Sequence, residues 1–232
     1  MQKWEFLELH QFLASKPKMR LTSYDDNGVT IEGEYDVHAQ MEGFNAIHDT
    51  YSLKLHFPKW YPREIPTVLE VGHRIKRDSD HHTYGDGSFC LGSEINIKAI
   101  LSEAATISDF VDRVLSPFLY SISYKLKYGI FPYGDLAHGE AGLIDDYEKL
   151  FQIQGKKSVI GVLNVLGKRK RVANKLACPC CCGRRLGKCD YRFNLEEWRH
   201  LDKRRWFREH LLSKFTPLER IKPKKKTRKK RG

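Results

Sequence analysis

No apolar run in the 232 residues approaches the roughly 18 needed to span a bilayer, and Met1-Gln2-Lys3-Trp4-Glu5 lacks the apolar core of a signal peptide. These absences predict a soluble, cytoplasmic protein. Cysteine is nearly missing outside one short stretch. Five of the six fall between Cys178 and Cys189, and Cys90 stands alone. A cytosolic chain rarely spends such a cluster on disulfides, so metal binding is the better reading, whereas a lone cysteine is by default a small buried apolar residue. No internal repeat is visible. With 41% hydrophobic and 12% aromatic residues the chain can bury a core, which excludes wholesale disorder and collagen-like fibres.

Acidic residues are scarce in the C-terminal third. Residues 168–232 hold 24 Lys and Arg against 6 Asp and Glu, leaving 17 against 23 for residues 1–167. The net charge of +12 therefore belongs to a basic extension on an acidic body, a division that suits contact with nucleic acid, an acidic protein or a membrane surface.

Trp4, Leu7, Leu9, Phe12 and Leu13 recur at roughly helical spacing and Pro17 stops them, which predicts a helix over residues 3–15. From Val29 the period becomes two, through Ile31, Tyr35, Val37 and Ala39, and again through Tyr51, Leu53, Leu55 and Phe57. Half-buried strands of an antiparallel meander follow, joined by a polar connection at residues 42–50. Three prolines between Phe57 and Pro66 enforce an irregular connection before a strand at residues 67–71. Residues 73–90 show no sustained period, and Tyr84-Gly85-Asp86-Gly87-Ser88 is loop chemistry. A helical face returns from Ile107 to Leu119, opened by Ser108 or a nearby cap, and a last body helix is expected over residues 143–151.

Gly85, Gly87 and Gly92 around Cys90 leave room for an extended chain to approach its thiol. The element order is an α+β plan. It resembles the ubiquitin-conjugating enzymes, through an FPxxYPxxxP motif from Phe57 to Pro66 and a loop running into Cys90-Leu91. The resemblance implies a UBC-like fold over residues 1–154, with an N-terminal helix, antiparallel meander, cysteine loop and C-terminal helices. It makes Cys90 the nucleophile and sets Asp80-His81-His82 on the family's HPN tripeptide. His82 then replaces the asparagine credited with stabilising the oxyanion when an amine attacks the thioester. Asp80, His81 and Asp86 are auxiliary candidates for orienting or accepting the amine proton. The altered tripeptide, Gly92 after Cys-Leu, the absence of tryptophan after Cys90 in the body, Pro132-Tyr133-Gly134 and His138-Gly139 are similar to the bacterial branch, found in phage-defence operons. There an activating enzyme, a ubiquitin-like modifier or the C-terminus of a nucleotidyltransferase would be the partner. The alternatives are a non-catalytic binding module of the same fold and a nucleic-acid-binding adaptor.

Residues 155–175 read as a basic linker with one apolar segment, Val159 to Leu166. The cysteine cluster, in a module spanning residues 176–215, resembles the SEC-C zinc module. That resemblance implies structural zinc on Cys178, Cys180 and Cys189, with Asp190 in the fourth place and Cys181, Cys182 or His200 open as replacements. Residues 216–232 are expected to be a disordered basic tail. Within it, residues 222–231 carry eight cations that would bind polyanions without sequence preference, or merely solubilise the chain.

Overall fold

The computed structural model describes residues 8–103, 105–132, 134 and 139–215. Helix α1 (Leu9–Ser15) leads into β1 (Met19–Asp25), β2 (Gly28–Ala39), β3 (Ile47–Pro58) and β4 (Thr67–Glu70). The strands form one antiparallel sheet in that order, with Val29 opposite Phe57 and Leu55 opposite Val68. The period-two residues are its buried face: Val29, Ile31, Tyr35, Val37, Tyr51, Leu53, Leu55 and Phe57 are all at most 3% exposed. A mixed α+β architecture is therefore established. β3 starts within the stretch expected to be a connection. β1 was not anticipated, because as an edge strand it buries little beyond Met19. Of the expected N-terminal helix, Trp4 and Leu7 lie outside the described residues.

Helix α2 (Glu94–Leu101) follows the cysteine loop. The next helical face is opened by Thr106, whose hydroxyl accepts from Asp109 N–H while the Asp109 carboxylate accepts from Thr106 N–H, a reciprocal capping box. It comprises α3 (Ile107–Phe110), a π-helical turn (Val111–Leu115) and α4 (Ser116–Tyr128). Pro117 has no N–H to give back to the preceding turn and its ring crowds the carbonyl four residues earlier, which accounts for the widened turn. Hydroxyl pairs seat α4 on the sheet, Tyr35 with Ser116 at 2.9 Å and Tyr51 with Ser123 at 2.7 Å.

A second core combines α5 (Gly139–Phe151), α6 (Lys156–Leu166), the cysteine cluster, α8 (Tyr191–Arg199) and α9 (Arg204–Phe215), with the short α7 (Lys170–Ala173) between α6 and the cluster. Two expectations are corrected here. The supposed linker at 155–175 contains α6, where Val159, Val162, Leu163 and Leu166 are completely buried. And α5, assigned to the body ending at 154, packs Tyr147 and Phe151 into this second core. The physical reason is the 3-1-3 spacing of those α6 residues, which makes an apolar stripe that a linker composition rich in Gly and Lys concealed.

His210, 5% exposed, is stacked on Trp206 and hydrogen-bonded through Nε2 to the Tyr147 hydroxyl at 2.5 Å. Burial, with repulsion from Lys214 and Lys98, holds its pKa down to about 4 from an ordinary 6.5. The folded chain therefore keeps it neutral while the unfolded chain protonates it below about 6.5. Stability is full above that pH and falls as the pH drops toward 4. Urea unfolding at about pH 7 and about pH 5 should show a loss on the order of 2 kcal/mol from this residue. The loss should shrink in His210→Gln, and an unchanged pH dependence would remove His210 as its source.

Candidate active site and cysteine cluster

The loop bearing Cys90 is built on β4. Phe89 N–H donates to Val68 O at 2.9 Å and Glu70 N–H to Gly87 O at 3.0 Å, while Tyr84 N–H to Ser88 O at 2.8 Å closes a small hairpin. Gly87 sits at φ +89° close to Arg77 and the Glu70 carbonyl, a place suited to glycine. Cys90 N–H donates to His82 O at 2.7 Å, so the backbone ties the two together.

Cys90 is half-buried and lines two cavities. One, of about 290 Å³, has Leu91, Ile97 and Ile100 on one wall, with Val114, Pro117, Phe118 and Ile122 from the π turn and α4 on another. His82, Asn96 and Phe131 also line it, and the His82 ring meets Phe131 edge-on at 5.4 Å. The other cavity, of about 360 Å³, takes Glu64, Ile65, Pro66, Tyr84 and Glu94 along its walls. A thiol at such a junction has one apolar and one partly acidic approach. The Tyr84 phenol is raised to about 12, first by its hydrogen bond to Cys90, then by burial and by the charges of Cys90 and Asp86. It stays protonated near neutral pH and is a donor for a thiolate.

Cys90 and His82 thus line the same cavity, while the auxiliary candidates do not line it. Asp86 accepts from Ser88 N–H at 2.9 Å and Ser88 Oγ at 2.6 Å, bonds that lower its pKa and close the hairpin turn. His81 Nδ1 is 2.6 Å from Asp78, which also caps the 3₁₀ turn Ser79–His81. Asp80 contributes its carbonyl, accepting from Lys125 at 2.6 Å. Tyr84 and Asn96 were missed by sequence reasoning. The hairpin that aims Tyr84 at Cys90 was visible only as loop composition, and Asn96 reaches the cavity because α2 turns there.

Helix α2 joins the two cores. Ile95 is fully buried in the second one, and Trp206 Nε1 donates to Glu94 at 3.1 Å. Lys98, 4% exposed, donates to Asp202 at 2.5 Å and to the Arg63 carbonyl, and lies 4.7 Å over the Trp206 ring.

In the cysteine cluster the sulfurs of Cys178, Cys180, Cys182 and Cys189 all lie within 4.8 Å of one another, with Cys178 and Cys180 3.2 Å apart and Cys180 and Cys189 3.6 Å apart. These are free thiols, far beyond the roughly 2.05 Å of a disulfide. Four thiolates about 2.3 Å from one ion would stand a little under 4 Å apart, so the set fits tetrahedral zinc. Asp190, expected in the fourth place, is outside the group and is corrected to Cys182. Cys189 points inward at 5% exposure, whereas Asp190 next to it is exposed at the N-terminus of α8. Positive φ at Cys181 (61°) and Gly183 (74°) folds the chain back so that Cys182 joins and Cys181 faces Ser158 instead. His200, at the C-terminal end of α8, is likewise outside. The Arg184 backbone N–H, the Cys180 side chain and the Arg184 side chain lower Cys182 to about 6.

Among the described residues no helix is long and apolar enough to cross a membrane. Neither a family model, nor a curated protein, nor a solved structure matches the chain.

Proposed function

We propose that this chain is a ubiquitin-conjugating-like transferase of UBC-like fold that carries a protein C-terminus as a thioester on Cys90 and passes it to an amine, most simply a lysine, in bacterial antiphage defence. Its C-terminal part is then a SEC-C-like module holding structural zinc. The observation that carries the reading is the position of Cys90 where two cavities meet, with His82 on the wall of one and Tyr84 on the wall of the other.

Loading exchanges one thioester for another: the Cys90 thiolate attacks the carbonyl of the donor's activated C-terminus, and the activating partner's thiol leaves with a proton. Discharge begins when the acceptor amine, having lost a proton, attacks the Cys90 thioester. The carbonyl oxygen becomes an oxyanion, which His82 is assigned to stabilise, with Asn96 lining the same cavity. Collapse breaks the carbon–sulfur bond, forms the amide and returns the Cys90 thiolate to the Tyr84 hydroxyl. The apolar cavity suits the C-terminal residues of the donor, and the side bearing Glu64 and Glu94 suits a cationic acceptor approaching before deprotonation.

With cognate activating enzyme and ATP, His82→Ala is expected to keep loading while slowing amine discharge about a hundredfold, the usual cost of a lost oxyanion donor. Single-turnover chase of the loaded chain separates the two rates. Equal loss of both, or of neither, makes His82 a structural residue.

A further inference from the structure

A cavity of about 740 Å³ opens where the end of α6 meets the start of α9, remote in sequence from Cys90. Lys168, Arg169, Lys203, Arg204 and Arg208 line it, and its lining acid, Asp202, is engaged by Lys98. Among the described residues none of those five cations has a carboxylate partner, although nearby Lys170 and Arg205 pair with Glu196 and Glu209.

Helix capping explains only part of this charge. Arg199 lies beneath, donating to the carbonyls of Val165, Leu166 and Lys168, and Arg208 donates to Gly167 O at 3.3 Å, so these two satisfy the end of α6. Lys203, Arg204 and Arg205, however, crowd the N-terminus of a twelve-residue helix whose first turn carries no acid. Cations there oppose the helix dipole and one another. The Arg199 Nε is buried without a hydrogen-bond partner, its nearest carboxylate being Glu196 at 4.0 Å; burial lowers the pKa of this guanidinium, Glu196 offsets part of that, and Arg204 adds repulsion. Cations outnumber acids around the hollow, a balance that favours an anion there.

We infer that this cavity is a binding site for the phosphate backbone of a nucleic acid. Two runs of cations, residues 168–171 and 203–205, flank the hollow, which suits successive phosphates better than a single anion. The site's lining residues are distinct in sequence from the cationic run at residues 222–231. It does not depend on the chemistry of Cys90.

The test uses the full-length chain with the eight cations of residues 222–231 replaced by Gln, and a labelled oligonucleotide, single-stranded and duplex, titrated at about 50 and about 200 mM salt. Combining Arg169→Gln, Lys203→Gln and Arg204→Gln is expected to weaken binding at least about tenfold and to make the salt dependence shallower by about two counterions. These side chains are exposed, so folding should persist, and unchanged urea unfolding confirms it. An equally sized set on the sheet side, Lys16→Gln, Arg20→Gln and Lys127→Gln, should change affinity less than about threefold. The inference is overturned if the cavity variant binds as the parent does, if the sheet-side set loses as much, or if polyglutamate binds as tightly as the oligonucleotide.

Discussion

Asp202→Ala is expected to destabilise the chain by about 3 kcal/mol, more than most single changes to a surface loop, because it leaves the Lys98 ammonium buried without its nearest counter-charge. The Lys98 side chain is 2% exposed and the Asp202 side chain 11%, so solvent offers little compensation. Glu94 at 3.4 Å and the Arg63 carbonyl keep the loss from being larger. Removing both charges together, in Lys98→Met with Asp202→Leu, should recover most of the stability, since the isolated charge rather than the lost attraction dominates the cost. Urea unfolding of the two variants measures this. A single variant within about 0.5 kcal/mol of the parent would mean that the pair is effectively solvated. The consequence reaches the site, because Asn96, Ile97 and Ile100 sit on the helix that Lys98 anchors. It also sets how the chain divides: cutting after Gly167 would strip α8 and α9 from the core shared with α5, α6 and Ile95.

The second large effect is expected at the cysteine cluster. Purified without a histidine tag, the chain should hold one zinc, and Cys182→Ser should lose it while Asp190→Asn keeps it. Structural zinc contributes on the order of 10 kcal/mol to small domains, so a chelator should loosen the second core even where the sheet persists. Trp198 reports on this: it is 6% exposed and packed 4.8 Å from Phe151. Its fluorescence should shift to the red as metal leaves. Full zinc content in Cys182→Ser, or an unchanged spectrum after complete removal, would contradict the four-cysteine assignment.

What the sequence made legible was whatever repeats locally. Alternation at Val29 to Val37 and Tyr51 to Phe57 marked the buried sheet face, and the helical face from Ile107 to Leu119 was found although its true cap is Thr106. Misreadings arose where composition and packing diverge. Gly161 looked like part of a linker, yet in α6 it admits Pro179 of the cysteine loop, whose Cβ lies 3.3 Å from where a side chain would begin. The spacing left Cys182 as one of several candidates for the fourth sulfur, because the backbone reversal at Cys181 and Gly183 decides which cysteine joins the group. Tyr84 and Asn96 could not be picked out, since each reaches Cys90 or its cavity only through tertiary placement of a hairpin and of α2.

The most direct measurement of the central claim needs no cognate partner. The metal-loaded full-length chain is incubated with an aryl thioester of a peptide ending in an apolar residue, then analysed by intact mass and peptide mapping. Attack by the Cys90 thiolate on the carbonyl should transfer the acyl group and release the aryl thiol. The account predicts one acyl group, on Cys90, formed faster than on the exposed Cys181, reversed by excess thiol and missing in Cys90→Ala. Acylation that spares Cys90, or that proceeds equally in Cys90→Ala, would contradict it.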